Sequence, residues 1–94
     1  MNEVRFSTRF KKDIKRYEHD ELKLMHLYKI VSLLEKDERI PQQYLPHRLK
    51  GEYKGCMECH IENDYLLIWR DPVNSIIWLE RLGSHSELFA KKGK

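Results

Sequence analysis

Met57-Glu-Cys-His-Ile61, Tyr65-Leu-Leu-Ile-Trp-Arg70 and Ser75-Ile-Ile-Trp-Leu-Glu-Arg-Leu82 follow one another with almost nothing between them, and they decide the fold. The first alternates apolar and polar residues, as a half-buried strand does. The second is a continuous apolar run, and the third is a further strand. Glu62-Asn-Asp64 and Asp71-Pro-Val-Asn74 are rich in turn formers. Strands joined this closely form an antiparallel meander. Parity puts Met57, Cys59 and Ile61 on one face and Glu58 and His60 on the other. The apolar set predicts a face covered by helices, leaving Glu58 and His60 on the open side. In the last strand Ile77, Leu79 and Arg81 share a face opposite Ile76, Trp78 and Glu80. Periodicity alone does not say which of those two faces is buried.

Upstream, Glu3–Phe6 alternates charged and apolar residues, a short strand. Ser7 or Thr8 offers a helix N-cap. Phe6, Phe10, Ile14 and Tyr17 then recur at helical spacing, with Arg9, Lys11, Lys12, Lys15 and Arg16 on the other side. A second helix is predicted over about 20–37, with Leu24, Leu27, Val31 and Leu34 as its stripe and Ile30 beside it. The short break at His19-Asp20 makes the two a helical hairpin. Pro41 and Pro46 mark irregular chain. After the meander, Ser84 and Glu87 stand in capping-box spacing at the head of a short helical turn reaching Phe89. The basic tail Lys91-Lys-Gly-Lys94 is expected to fray. The order predicts a single α+β domain over residues 1–94. An N-terminal strand and a helical hairpin pack on one face of a twisted antiparallel sheet, and the other face stays free for a ligand.

The net charge of +3 mildly favours polyanionic partners such as nucleic acid, the ribosome or an acidic protein. Two cysteines make no disulfide scaffold. Cys56 and Cys59 form a C-x-x-C, but on a strand positions i and i+3 point to opposite faces. No helix N-terminus is expected there to activate a thiol, and no second ligand pair exists for zinc. The N-terminus has no apolar signal-peptide core, and the longest apolar run, Leu66–Trp69, cannot span a bilayer. The expectation is a soluble, cytoplasmic protein with no metal, no cofactor and no membrane contact.

Three histidines lie where strands end or turn. His47 sits in a Pro-flanked basic loop with Arg48 and Lys50; it also reads as plain solvent exposure. His60 and Asp64 flank a turn, which suits an acid orienting an imidazole but also a surface histidine beside a turn former. His85 opens the last helical turn near Arg81, a place for a cap or packing residue as well. Imidazole takes and gives protons near neutral pH, so three around one sheet have the parts for cutting RNA. Arg48, Lys50, Lys54, Arg81 and the first helix offer phosphate contacts, and Tyr53, Tyr65 and Phe89 offer stacking surfaces. His19 and His26 lie in the helical half and read as structural.

Three segments carry a family resemblance: His47-x-Leu-x-Gly51-x-Tyr-x-Gly55, Glu58-Cys-His60-Ile-x-x-Asp64-Tyr65-Leu-Leu-Ile-Trp69 and Arg81-Leu-Gly-Ser-His85-Ser-Glu-Leu-Phe89. Together they resemble the YafQ branch of the RelE/ParE toxin superfamily across nearly the whole chain. The resemblance implies a type II toxin that enters the ribosomal A site and cuts translated mRNA without a metal. Its functional residues would be His47, His60, Asp64, Arg81, His85 and Phe89, with Tyr65 standing where the branch often has tryptophan. His85 would be the general acid, His60 (polarised by Asp64) or His47 the base, and Arg81 the stabiliser of the phosphorane. Phe89 and Tyr65 would hold bases; Arg48, Lys50 and Lys54 would hold the backbone. The tail would touch ribosomal RNA. The implied partners are the ribosome with its mRNA and a small DinJ- or RelB-like antitoxin with an acidic segment, promoter DNA being bound only through that antitoxin. The alternatives are a ParE-like inhibitor of DNA gyrase with no RNA chemistry, and a non-catalytic binding module.

Overall fold

A computed structural model of the chain describes residues 1–89; the basic tail lies outside them. The order is β1 (Glu3–Phe6), α1 (Thr8–Lys15), α2 (Glu21–Glu35), β2 (His47–Arg48), β3 (Cys56–Glu62), β4 (Tyr65–Val73), β5 (Ile76–Gly83) and α3 (His85–Phe89). Short 3-10 turns at Gln42–Tyr44 and Gly51–Tyr53 flank β2. Ser7 Oγ accepts the Phe10 N–H and caps α1; Asp20 accepts the Lys23 N–H and caps α2.

The five strands run β1-β5-β4-β3-β2. The meander is antiparallel as its turns require, but β1 lies parallel to β5. The sheet is therefore mixed rather than wholly antiparallel, because the hairpin carries the chain away from β1 and only β5 returns to its side. The β4–β5 turn also moves from the expected 71–74 to Asn74 and Ser75, which both take the left-handed backbone a tight hairpin needs. Pro72 then falls in the end of β4, beyond the last β3 partner and inside the irregular stretch of the β4–β5 register between Arg70 and Val73.

The main core lies between the sheet and the helical hairpin: Phe10, Leu27, Ile30 and Leu34 against Cys59, Leu67, Trp69, Ile77, Leu79 and Leu82. The α2 stripe is centred on Leu27, Ile30 and Leu34, with Leu24 and Val31 at its margins. The opposite face is not wholly free, as the sequence suggested. Tyr53, Leu88 and the margin of Leu49 fold over Cys56, Leu66 and Ile68 in a second, smaller cluster. The two thiols thus belong to different cores, as strand parity requires. Burial raises the Cys56 thiol and pushes Cys59 up to about 12, far from a reactive thiolate.

Candidate active site

The β3–β4–β5 register sets His60, Leu66 and Gly83 side by side in one row. His85 follows Gly83 by two residues as the first residue of α3. On the other flank β2 pairs His47 with Glu58, two residues before His60 on the same face. Sheet register therefore brings three imidazoles, distant in sequence, into a line. The ring centroids of His47 and His60 are 6.2 Å apart, those of His60 and His85 5.6 Å, and those of His85 and Phe89 6.4 Å. Phe89 is 42% exposed, and its ring stands perpendicular to that of Tyr53. A cleft of about 350 Å³ opens beside His60, lined by Gln43, Tyr44, Leu45, Ile61, Glu62 and Asn63.

Asp64 pairs with His85, not with His60 as the sequence suggested. Its Oδ1 accepts the His85 backbone N–H at 2.9 Å and lies 2.8 Å from the ring Nδ1. The reason is that the β3–β4 turn abuts the start of α3, whose first N–H groups lack intrahelical partners. Ser84 and Glu87 close the predicted capping box around the same turn: the Ser84 N–H donates to Glu87 and the Glu87 N–H to Ser84 Oγ. A Cβ on Gly83 would lie 2.6 Å from the capping Glu87 oxygen, so glycine lets the box close. His60 alone of the three imidazoles has no hydrogen-bond partner among the described residues.

The His85 backbone N–H, and then its ring, hold the Asp64 carboxyl below the usual carboxylate range. A depressed carboxyl stabilises the fold above its unfolded value and loses that contribution as pH falls through its folded one. Asp64→Asn is therefore expected to flatten the fall of Tm below about pH 4. Thermal melts between pH 6 and 3 check this; parallel curves for the two proteins would contradict it.

Two further expectations are corrected. Tyr65 is 1% exposed, its ring packed 4.9 Å from that of Tyr17 and its hydroxyl donating to the Lys23 carbonyl. It is a core residue and offers no face to a base, because β4 is the central strand and Tyr65 points to the helices. Arg81 is 8% exposed. Its Nε and Nη2 donate to the two oxygens of Asp13, at 2.7 and 3.2 Å, and Nη1 donates to the Tyr53 hydroxyl at 3.0 Å. Asp13 also accepts the Leu82 N–H. Arg81 is thus committed to a buried pair that ties α1 to β5, and Tyr53 is committed with it. Arg48 sits one residue from His47, so it projects to the opposite face, where it pairs with Asp71. Lys50 and Lys54 remain exposed on either side of the Gly51–Tyr53 turn. His26 is structural, as expected: with Lys23 it holds Glu62 and staples α2 to the end of β3.

Two residues escaped the sequence reading as parts of the arrangement. Asp13 breaks the apolar stripe of α1 three residues after Phe10, which is the signal of a buried acid. Glu58 was placed on the histidine face but given no role; it lies 3.0 Å from His47. No group of three or more His, Cys, Asp or Glu side chains among the described residues has the geometry to hold a metal ion, and no helix among them is long and apolar enough to cross a membrane.

The sequence and the fold have known counterparts. Residues 2–90 match the family model of the bacterial toxin of type II toxin–antitoxin systems, YafQ. The mRNA interferase toxin YafQ of Escherichia coli K12 is 28% identical over 91 residues, covering 95% of this chain and 97% of its own length. A metal-bound toxin from Helicobacter pylori superposes with a TM-score of 0.84 at 38% identity, over 95% of this chain and all of that one. The toxin in the E. coli DinJ–YafQ toxin–antitoxin complex superposes with a TM-score of 0.81 at 28% identity, over 95% and 98% of the two chains. The family model spans nearly the whole chain, and the fold superposes on solved YafQ toxins: the chain belongs to the YafQ family of type II toxin–antitoxin toxins.

Proposed function

We propose that this protein is an mRNA interferase that cuts translated mRNA on the ribosome, with the histidine row as its acid–base apparatus. The single observation that carries this reading is the line His47–His60–His85–Phe89, with neighbouring rings 5.6–6.4 Å apart. RNA holds its own nucleophile. A base takes the proton of the 2′-OH, the 2′-oxygen attacks the adjacent phosphorus, and an acid protonates the departing 5′-oxygen. The products are a 2′,3′-cyclic phosphate (or the 3′-phosphate from its hydrolysis) and a 5′-hydroxyl. No metal is needed for these steps, because proton transfers at both oxygens supply the acceleration.

His85 is the acid. Asp64 holds its Nδ1, which leaves Nε2 unengaged to give a proton. The base comes from the His47–His60 end of the row. Phe89 stacks on a base, the cleft beside His60 has room for a neighbouring one, and Lys50 and Lys54 meet the backbone. The cognate partner is an antitoxin of the DinJ kind, whose acidic segment would cover the exposed cations Arg9, Lys11, Lys12 and Lys15 of α1. Promoter DNA would be engaged through that antitoxin.

The test is purified protein on a defined mRNA, naked or in programmed ribosomes, with 5′ ends mapped. Discrete cuts only in the ribosome-bound message are expected. No cuts from folded protein would overturn the reading, and inhibition of gyrase supercoiling in its place would identify the ParE-like activity.

A further inference from the structure

A helix of five residues is too short to hold itself, and Leu88 is the one buried residue of α3. Contacts from elsewhere must therefore fix its first turn, which carries His85. Asp64 supplies one, on the His85 backbone N–H and ring. A second tether comes from just past the end of α1. The Tyr17 hydroxyl donates to Glu87 Oε1 at 2.8 Å. The Ser84 N–H donates to that same oxygen, also at 2.8 Å. Arg16 Nε stands 3.9 Å from the other Glu87 oxygen, while its Nη1 holds Asp13. The Tyr17 ring is seated in turn, 4.9 Å from that of buried Tyr65. Burial and then the Glu87 carboxylate raise the Tyr17 hydroxyl, which keeps it a donor. The Ser84 N–H, and after it Tyr17 and Arg16, hold the Glu87 carboxyl below the usual carboxylate range against its partial burial.

We propose that Tyr17 is a positioning residue for His85: through Glu87 its hydroxyl pins the Ser84 N–H, and together with Asp64 it fixes the first turn of α3. This deepens the RNA-cutting reading above and rests on it for the chemistry. The two tethers divide the task. Asp64 sets which way the His85 ring points, and the Tyr17–Glu87–Ser84 chain sets where the backbone that carries the ring lies. Without the hydroxyl, Glu87 is a long, partly exposed side chain, and its carboxylate can leave Ser84 for water. The turn then hangs from Asp64 alone. Phe89, at the far end of α3, is placed separately by the Tyr53 ring and by the burial of Leu88. Loss of the Tyr17 tether therefore moves the acid more than it moves the stacking ring.

The test uses the full chain with its aspartates labelled with carbon-13, and Tyr17→Phe, which keeps the ring on Tyr65 and removes only the hydroxyl. Among the described residues the Asp64 side chain hydrogen-bonds to His85 alone, so its titration reports on the first turn of α3 without any RNA. In Tyr17→Phe the Asp64 midpoint is expected to rise toward the ordinary carboxylate value, because its backbone donor is no longer held in place. On programmed ribosomes, well below the Tm of either protein, Tyr17→Phe is expected to lower kcat about tenfold with KM little changed. Glu87→Ala removes the same tether from the other end and is expected to show both changes. Adding Tyr17→Phe to it is expected to deepen the loss by less than about twofold. Should Tyr17→Phe not fold, the same two readouts on Glu87→Ala decide. A merely structural contact would lower Tm and leave both kcat and the Asp64 midpoint of the folded protein where they are. That result, or losses that multiply in the double variant, would overturn the inference. A midpoint that rises in a protein whose wild type cuts nothing would uphold the positioning by Tyr17 while overturning the RNA reading.

Discussion

His85→Ala is expected to lower mRNA cleavage by about 10²–10⁴ while leaving the protein folded and able to bind its antitoxin. The side chain is half exposed, and its ring makes one hydrogen bond, to Asp64. Losing it removes little packing, whereas losing the acid strands the departing 5′-oxygen as an alkoxide. The rate loss corresponds to about 3–5 kcal/mol of transition-state stabilisation. Single-turnover cleavage on programmed ribosomes measures it, with antitoxin binding as the control for folding. A variant that cuts at the wild-type rate would remove His85 from the mechanism. A variant that neither cuts nor binds would show a structural role instead.

Asp13→Ala is expected to have the largest effect on stability, about 3–5 kcal/mol. Asp13 is the only acid on the buried face of α1. It takes both ends of the Arg81 guanidinium and the Leu82 N–H, and Arg16 approaches from the rim. Alanine leaves a guanidinium buried with only the Tyr53 hydroxyl for company. For a domain of this size the loss is a large share of the usual 5–15 kcal/mol of total stability. It should lower Tm by more than about 10 °C. The pair Asp13→Ala/Arg81→Met is expected to recover part of the loss, since an apolar side chain leaves no buried charge behind. Thermal or urea melts of the two variants decide this; an Asp13→Ala protein as stable as wild type would mean that Arg81 is free to serve elsewhere.

Much of the fold was legible because local patterns and tertiary packing agree. The α1 and α2 stripes, the Ser7 cap and the three meander strands each follow from residue spacing. The ambiguity over the faces of β5 has a physical origin. The β4–β5 register slips between Ile68 and Trp69, so that Ile68 pairs with Arg81 and Trp69 with Leu79, leaving Glu80 as an extra residue. A bulge reverses parity along a strand. Leu79 and Leu82 therefore both face the helices, which no uniform alternation predicts.

The site was legible as a set of residues but not as a set of partners. The family motif named His47, His60, His85 and Phe89, and the register lines them up. Which acid meets which imidazole depends on the approach of the β3–β4 turn to α3 and of β2 to β3, contacts far apart in the sequence. Asp64 therefore went to His85, and Glu58 went to His47. Arg81 and Tyr65 have residue types that suit RNA, but burial decides their use. One is neutralised by Asp13, and the other is packed against Tyr17.

The most direct measurement replaces one ribose. A message programmed in ribosomes carries, at a mapped cut site, either the natural ribose or its 2′-deoxy form. Attack by the 2′-oxygen predicts full cleavage of the first, with cyclic or 3′-phosphate and 5′-hydroxyl ends, and none at that position in the second. Cleavage of the deoxy-substituted message at the same bond would contradict the account.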